Sequence, residues 1–396
     1  MGDVSPLESE PPFAPTRLSE APAPQAYEAH RIFLSRSYFP LLDGLRCLSI
    51  VAVVWFHAAG GTQAPGILSR GEEGVSLFFV ISGFLITTIL LREQSTVGGI
   101  SLKRFYLRRT LRIFPLYYAM LALYAMLVAI IEKQTPAGDQ FWRNLPYFLT
   151  YTSNWFVLLG ADRIIFFFAW SLATEEQFYL FWPWVVKATR GPGLPIAAML
   201  GLLALHYGTI FAAADGAFAP VPLLTRALIS LSPPICFGAI AAVLVHRPLT
   251  FRWIERWLGR RWSASAALAA TLTALAFDET QGVVLYAAMT WLVVACSVRS
   301  DDVLLRAALT NPFVMHVGHV SYGIYLMHML CINIMRRLVA AQEGPLIFVL
   351  ALALSIAAAT ISYRFFEAPI LRWKDRIAKQ PAGIPAAPVF RVRPAP

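Results

Sequence analysis

About ten blocks of roughly 16 to 24 mainly apolar residues run between Cys47 and Phe366, and few hold more than one charge. A helix of about 20 residues crosses the hydrocarbon core of a bilayer, so each block is long enough to be a span. The runs are continuous and do not alternate, which excludes a transmembrane β-barrel. Only 14% of the residues are charged and the mean hydropathy is +0.58, whereas a soluble domain is about a quarter charged. That excludes a soluble enzyme, a secreted disulfide scaffold and a disordered chain. The expected fold is all-α: a polytopic membrane protein.

Spans are expected near residues 41–60, 75–92, 114–132, 171–188, 194–213, 223–246, 262–278, 282–298, 316–337 and 346–367. A more polar stretch, 141–160, holds Asn144, Pro146 and Asn154 and reads as interfacial or re-entrant. With ten spans and a cytoplasmic N-terminus, 25 of the 33 Lys and Arg fall inside, 6 outside and two within spans. This bias predicts that both termini are cytoplasmic. It also explains the net charge of +10 without nucleic acid, for which no basic module exists outside the membrane. Residues 1–37 and 377–396 read as disordered cytoplasmic tails flanking one transmembrane domain, 38–376. The first tail lacks the apolar core of a cleavable signal, so the first span is expected to act as an uncleaved anchor. Cys47, Cys236, Cys296 and Cys331 sit in apolar segments without metal-ligand spacing, and no metal site is expected. No internal repeat of the inverted-transporter kind is visible.

Four groups of residues carry the chemistry. Arg46 and His57 lie eleven apart, three turns plus roughly 20°, on one face of the first span and about 16 Å apart along it. Ionisable residues within a span point to function, although Arg46 can also snorkel and His57 can bond a neighbouring helix. Lys103, Arg104, Arg108, Arg109 and Arg112 form a basic stripe beside Pro115, which is read as the start of the next span. Such a stripe suits anionic headgroups or, through bidentate pairing, a polyphosphate ligand. Ser171 and Glu175 form an i, i+4 pair on the fourth span, followed by Glu176 and Gln177. The acidic pair serves either a site at the depth of His57 or the helix dipole. Near the C-terminus, Tyr325 and His328 fall in the ninth span, and Glu367 closes the tenth, where pairing with Arg364 or Arg372 suffices to explain it. No acid stands where it would orient His57 or His328 as in a Ser-His-Asp triad.

The blocks FPLLDGLRCLSIVAVVWFHAAG, SLFFVISGFLI, RFYLRRTLRIFPLYY, WSLATEEQFYLFWP, SYGIYLMHM and RFFEAPI resemble, in order, the signature segments of the acyltransferase 3 family. The resemblance spans residues 39 to 373. It implies a ten-helix integral enzyme of the bacterial inner membrane that takes an acyl group, usually acetyl, from cytoplasmic acyl-CoA. The acceptor is a hydroxyl on a glycan or glycolipid, such as lipopolysaccharide O-antigen or exopolysaccharide, reached from the other membrane face. The matching motif residues are Arg46, His57, Arg108, Arg109, Arg112, Ser171, Glu175, Tyr325 and His328. Some members carry an appended extracytoplasmic hydrolase-like domain; none is seen here, which turns the expectation from peptidoglycan toward a one-step transfer. In this picture His57 is the general base, and Glu175 orients it or contacts the acceptor. Arg46 serves the oxyanion or the donor, and Arg104, Arg108, Arg109 and Arg112 hold acyl-CoA as co-substrate, with no bound cofactor. Ser171, Tyr325 and His328 support the site or the acceptor. A direct transfer and an acyl-enzyme route both remain open. The competing reading is a transporter of a lipid-linked sugar with His57, Glu175 and His328 as a proton relay.

Overall fold

The computed structural model describes residues 25–61, 64–157, 164–189, 191–214, 223–277, 282–299, 303–339 and 341–377, and every regular element among them is helical. Helices α1 (Gln25–Ser35), α2 (Pro40–Ala58), α3 (Gly74–Val97) and α4 (Leu102–Ile131) come first. Helix α5 (Pro136–Leu149) and the single turn α6 (Ser153–Phe156) lead into α7 (Ala169–Lys187), α8 (Gly193–Ala214), α9 (Leu223–Ile229) and α10 (Pro233–His246). Then come α11 (Pro248–Leu258), α12 (Ser263–Ala276), α13 (Val283–Val298), α14 (Val303–Leu309) and α15 (Pro312–His319). Helices α16 (Ser321–Val339) and α17 (Pro345–Ser362) follow, and α17 passes through a π turn, Tyr363–Glu367, into α18 (Ala368–Ile377).

Among the described residues, α2, α3, α4, α8 and α17 are long and apolar enough to cross a membrane. The pairs α9–α10 and α15–α16 qualify when each is taken as one broken span. The chain is a multi-pass helical membrane protein.

Several boundaries depart from the sequence expectation. The segments 223–246 and 316–337 are not straight spans but bends of 53° and 76°. Pro233 and Pro234 account for the first, because proline cannot continue an incoming helix and pushes the preceding residue to extended geometry. The second has no proline at Val320. There Gly318 packs directly on the Asp43 backbone carbonyl of α2, an approach that a Cβ would block. Pro115 does not open a span; it lies inside α4, so the basic stripe and the apolar run share one helix of 30 residues. The 141–160 stretch resolves into the end of α5, the α6 turn and residues outside those described. Residues 1–24 and 378–396 of the expected tails also lie outside. The remainder of the first tail is not structureless. Helix α1 docks through Phe33, 1% exposed against Phe39 and Phe251, and through His30, whose Nε2 donates to the His246 carbonyl at 3.0 Å. Arg92 of α3 fastens its end, donating to the carbonyls of Phe33, at 2.7 Å, and Arg36. The apolar cluster Ile32, Phe33 and Leu34 in a Pro- and Ala-rich tail is too short to show periodicity.

Helices α3 and α10 pack on a pair of glycines. A Cβ at Gly83 would strike the Ile235 carbonyl, and one at Gly238 the Val80 carbonyl. Small residues let membrane helices approach to backbone contact, where dispersion replaces the missing hydrophobic drive. Gly83→Val or Gly238→Val is therefore expected to destabilise the bundle by about 1–3 kcal/mol. Thermal unfolding in detergent reads this directly, and an unchanged midpoint would show that the two helices do not rely on this contact.

Candidate active site

Helices α2, α3, α4, α7 and the α15–α16 bend meet around a cavity of about 110 Å³. Its polar lining is Arg46, Ser82, Arg109, Arg112, Ser171, Glu175, Tyr179, His319, Ser321, Tyr322 and Tyr325. Six of the expected site residues thus converge: Arg46, Arg109, Arg112, Ser171, Glu175 and Tyr325.

Each is set by its local sequence. Arg46 is held by Asp43 one turn earlier, whose Oδ1 takes its guanidinium at 3.0 Å and whose Oδ2 accepts from Tyr38 at 2.5 Å. Asp43 is 2% exposed, so its charge is tolerated only because both oxygens are occupied. On α4, the Arg109 guanidinium lies 5.1 Å from the centre of the Tyr179 ring, a cation–π contact that leaves its remaining donors for the cavity. On α7, Ser171, Glu175 and Tyr179 recur every four residues and form one stripe. Glu175 accepts hydrogen bonds from Ser82 and Tyr179. The Ser171 and Tyr325 hydroxyls are 2.5 Å apart and both reach the Phe168 carbonyl, at 3.0 and 3.1 Å. Tyr322 donates to the Ile113 carbonyl at 2.8 Å, tying α16 to α4 just before Pro115.

Four expected residues stand apart from this lining. Arg104 and Arg108 turn to Glu93 of α3, at 3.1 and 3.7 Å. His57 and His328 form a pair, their ring centres 5.4 Å apart, walled by Phe167 at 5.4 Å from His57 and by Phe168 at 5.6 Å from His328. Tyr325 joins the two regions, since it lines the cavity and its ring lies 5.5 Å from that of His328. Of the two roles read for Glu175, orienting His57 or contacting the acceptor, its hydrogen bonds bear on neither directly; its partners are the two hydroxyls named above, on the cavity side.

The Acyltransferase domain family matches residues 39–364, the stretch that supplies every lining residue. The chain belongs to that family. Among relatives, it is 30% identical over 370 residues to the peptidoglycan O-acetyltransferase OatA of Listeria monocytogenes, covering 85% of this chain and 56% of the relative. It is 26% identical over 367 residues to the O-acetyltransferase OatA of Staphylococcus aureus, covering 85% of this chain and 58% of the relative. The chain thus spans little more than half the length of these relatives. No solved structure matches it.

In this member of the acyltransferase family, the sequence reading did not place Ser82, Tyr179, His319, Ser321 or Tyr322 in the site. Tyr179 continues the Ser171–Glu175 stripe by one more turn, a signal that was present. Ser82 is a lone hydroxyl in an apolar helix and carried none. Glu93 was also missed. It is 3% exposed and accepts from the Ser101 backbone N–H at 3.0 Å as well as from Arg104. One buried carboxylate thus closes the α3–α4 turn and fixes the start of the helix that delivers Arg109 and Arg112. Glu93→Gln removes the charge and keeps the shape. Breaking a fully buried pair costs about 3–5 kcal/mol; since both arginines reach solvent, a smaller loss of stability is expected, with a raised KM for an anionic donor. An unchanged unfolding midpoint would remove Glu93 from this role.

Proposed function

We propose that the protein is an O-acetyltransferase that moves an acetyl group from cytoplasmic acetyl-CoA to a hydroxyl of an exported or cell-surface glycan or glycolipid. The observation that carries the reading is the cavity itself. It gathers three arginines and a carboxylate–hydroxyl cluster in an apolar bundle, and through Tyr325 it adjoins an imidazole pair. Partly buried arginines suit the phosphates of a CoA donor, which they pair bidentately. The hydroxyl cluster suits a thioester carbonyl and an alcohol.

In the reaction, the acceptor oxygen attacks the thioester carbon and its proton passes to His57. The C–S bond then breaks and CoA leaves as a thiolate, which takes up that proton. Arg46 faces the developing oxyanion or the donor phosphates. Glu175, bonded to Ser82 and Tyr179, fixes the cavity wall and is placed to receive an acceptor hydroxyl. The names of the relatives support O-acetylation. The sign of the loop charges supports a donor on the cytoplasmic side and a bacterial inner-membrane location.

The test is transfer of label from acetyl-CoA to an extracted surface glycan by the purified protein in detergent. A transporter of a lipid-linked sugar would leave the glycan unlabelled. Arg109→Ala and Arg112→Ala are expected to raise the KM for acetyl-CoA by about tenfold or more, the loss of a charge-assisted contact worth roughly 1.5–3 kcal/mol. A short acyl-pantetheine lacking the nucleotide phosphates should be used equally well by variant and parent. An equal rise for the short donor would assign these arginines to folding.

A further inference from the structure

His57 has no acid beside it in the sequence, so what holds its ring in one tautomer is an open question. We propose that His328 is the positioning residue for His57: its Nε2 accepts a hydrogen bond from one ring N–H of His57 and leaves the other nitrogen free as the base. The proposal rests on the acyltransferase reading above and names a residue that acts through another.

Three observations lead to it. His328 is 0% exposed, and its Nδ1 lies 2.5 Å from the Tyr325 carbonyl oxygen. A carbonyl only accepts, so Nδ1 carries the hydrogen and the neutral ring has its lone pair on Nε2. Among the described residues, that Nε2 is buried and has no hydrogen-bond partner. A buried acceptor left unbonded costs stability unless it serves a purpose.

The ring next to it is His57, with centres 5.4 Å apart and planes tilted by 34°. Two imidazoles sharing an N–H···N bond of about 2.9 Å have centres roughly 5 Å apart, close to the separation seen here. Aromatic rings flank the pair: Phe56 and Phe167 on His57, and Phe168 and Tyr325 on His328. Helix α16 also grips the backbone of His57, for Arg336 donates to its carbonyl at 3.0 Å. One helix therefore supplies the fixed tautomer, the lone pair and the clamp.

During transfer the bonds balance without a further reactant. The acceptor O–H proton moves to the free nitrogen of His57 as the O–C bond forms. The other His57 N–H stays donated to His328, stabilising the imidazolium. The same proton then leaves His57 for the departing CoA thiolate. His328 neither gains nor loses a proton.

Two isosteric replacements separate the roles of the two nitrogens. In His328→Asn the amide nitrogen takes the place of Nδ1 and keeps the bond to Tyr325, but nothing replaces Nε2. In His328→Gln the distal amide oxygen takes the place of Nε2. His328→Asn is expected to lower kcat by about 10²–10³-fold with KM for acetyl-CoA within about twofold. His328→Gln should recover at least tenfold of that loss. Full activity in His328→Asn, or greater activity in Asn than in Gln, overturns the proposal. A readout that needs no turnover is nitrogen NMR of the intact protein with ¹⁵N-labelled histidine. The His328 signals, assigned by their loss in His328→Asn, should show a protonated Nδ1 and a bare Nε2 whose resonance moves in His57→Phe. A protonated Nε2, or one indifferent to a folded His57→Phe, overturns the proposal; His328→Gln supplies the assignment where His328→Asn fails to fold. Wild-type protein that transfers no acyl group would overturn the acyltransferase reading instead, and the spectrum would still report on the pair.

Discussion

His57→Gln is expected to remove acyl transfer almost entirely, by about 10³-fold or more in kcat, while leaving the protein inserted and folded. A positioned base contributes about 10²–10⁴-fold, and a glutamine of similar size cannot take up the proton. Folding is expected to survive because the contacts that anchor α2 lie elsewhere. Asp43 is bonded to Tyr38 and Arg46 near its start, and its end is held by the backbone bond from Arg336 to the carbonyl of residue 57. His57→Ala should behave alike. The KM for acetyl-CoA should hardly change, since the cavity arginines lie on α2 and α4, away from the imidazole pair. Turnover is measured with purified protein whose unfolding midpoint matches the parent. Near-normal turnover in such a sample would remove His57 from the mechanism.

An all-or-none effect is expected from the sidedness of the substrates. Oriented proteoliposomes in which the side read as cytoplasmic faces the lumen should acylate a glycan added outside when acetyl-CoA is trapped within, although the intact donor cannot cross. Acetyl-CoA supplied only outside should be inert toward these molecules. The charge bias of the loops and the position of the basic stripe at the start of α4 motivate this order. So does the separation, along α2, of Arg46 in the cavity from His57 at the far end. Activity that requires both substrates in one compartment would overturn the cross-membrane order and leave the chemistry intact. Movement of unmodified glycan would favour a transporter.

The parts of this molecule that were legible in the sequence are those where one residue's cost betrays it. A charge in an apolar run is expensive, so Arg46, Glu175, Arg109 and Arg112 stood out, and their convergence in one cavity is what such residues do in a bilayer. Hydroxyls and aromatics cost little there, so Ser82 and Tyr322 did not stand out until helix packing brought them to the wall. The basic stripe was read as a unit because spacing reports only neighbours on one helix. Glu93 comes from α3, and only the fold shows that it takes Arg104 and Arg108 away from the group. The bend at Val320 was hidden likewise. Beside it Gly318 meets a carbonyl more than 250 positions earlier, and no local signal marks that contact.

The docking of α1 has a consequence for how the molecule is assembled. The carbonyl that receives His30 belongs to His246, 216 residues later, and Phe251 of the same apolar contact follows it. At about 5–20 residues per second, the ribosome finishes α1 roughly 10–40 s before that partner emerges. Through that interval the side of Phe33 that meets Phe251 has no partner in place, and an eleven-residue helix is too short to be stable alone in water. The bilayer surface is the natural place for it to wait. Its closure onto α11 therefore waits until α10 and α11 have been made.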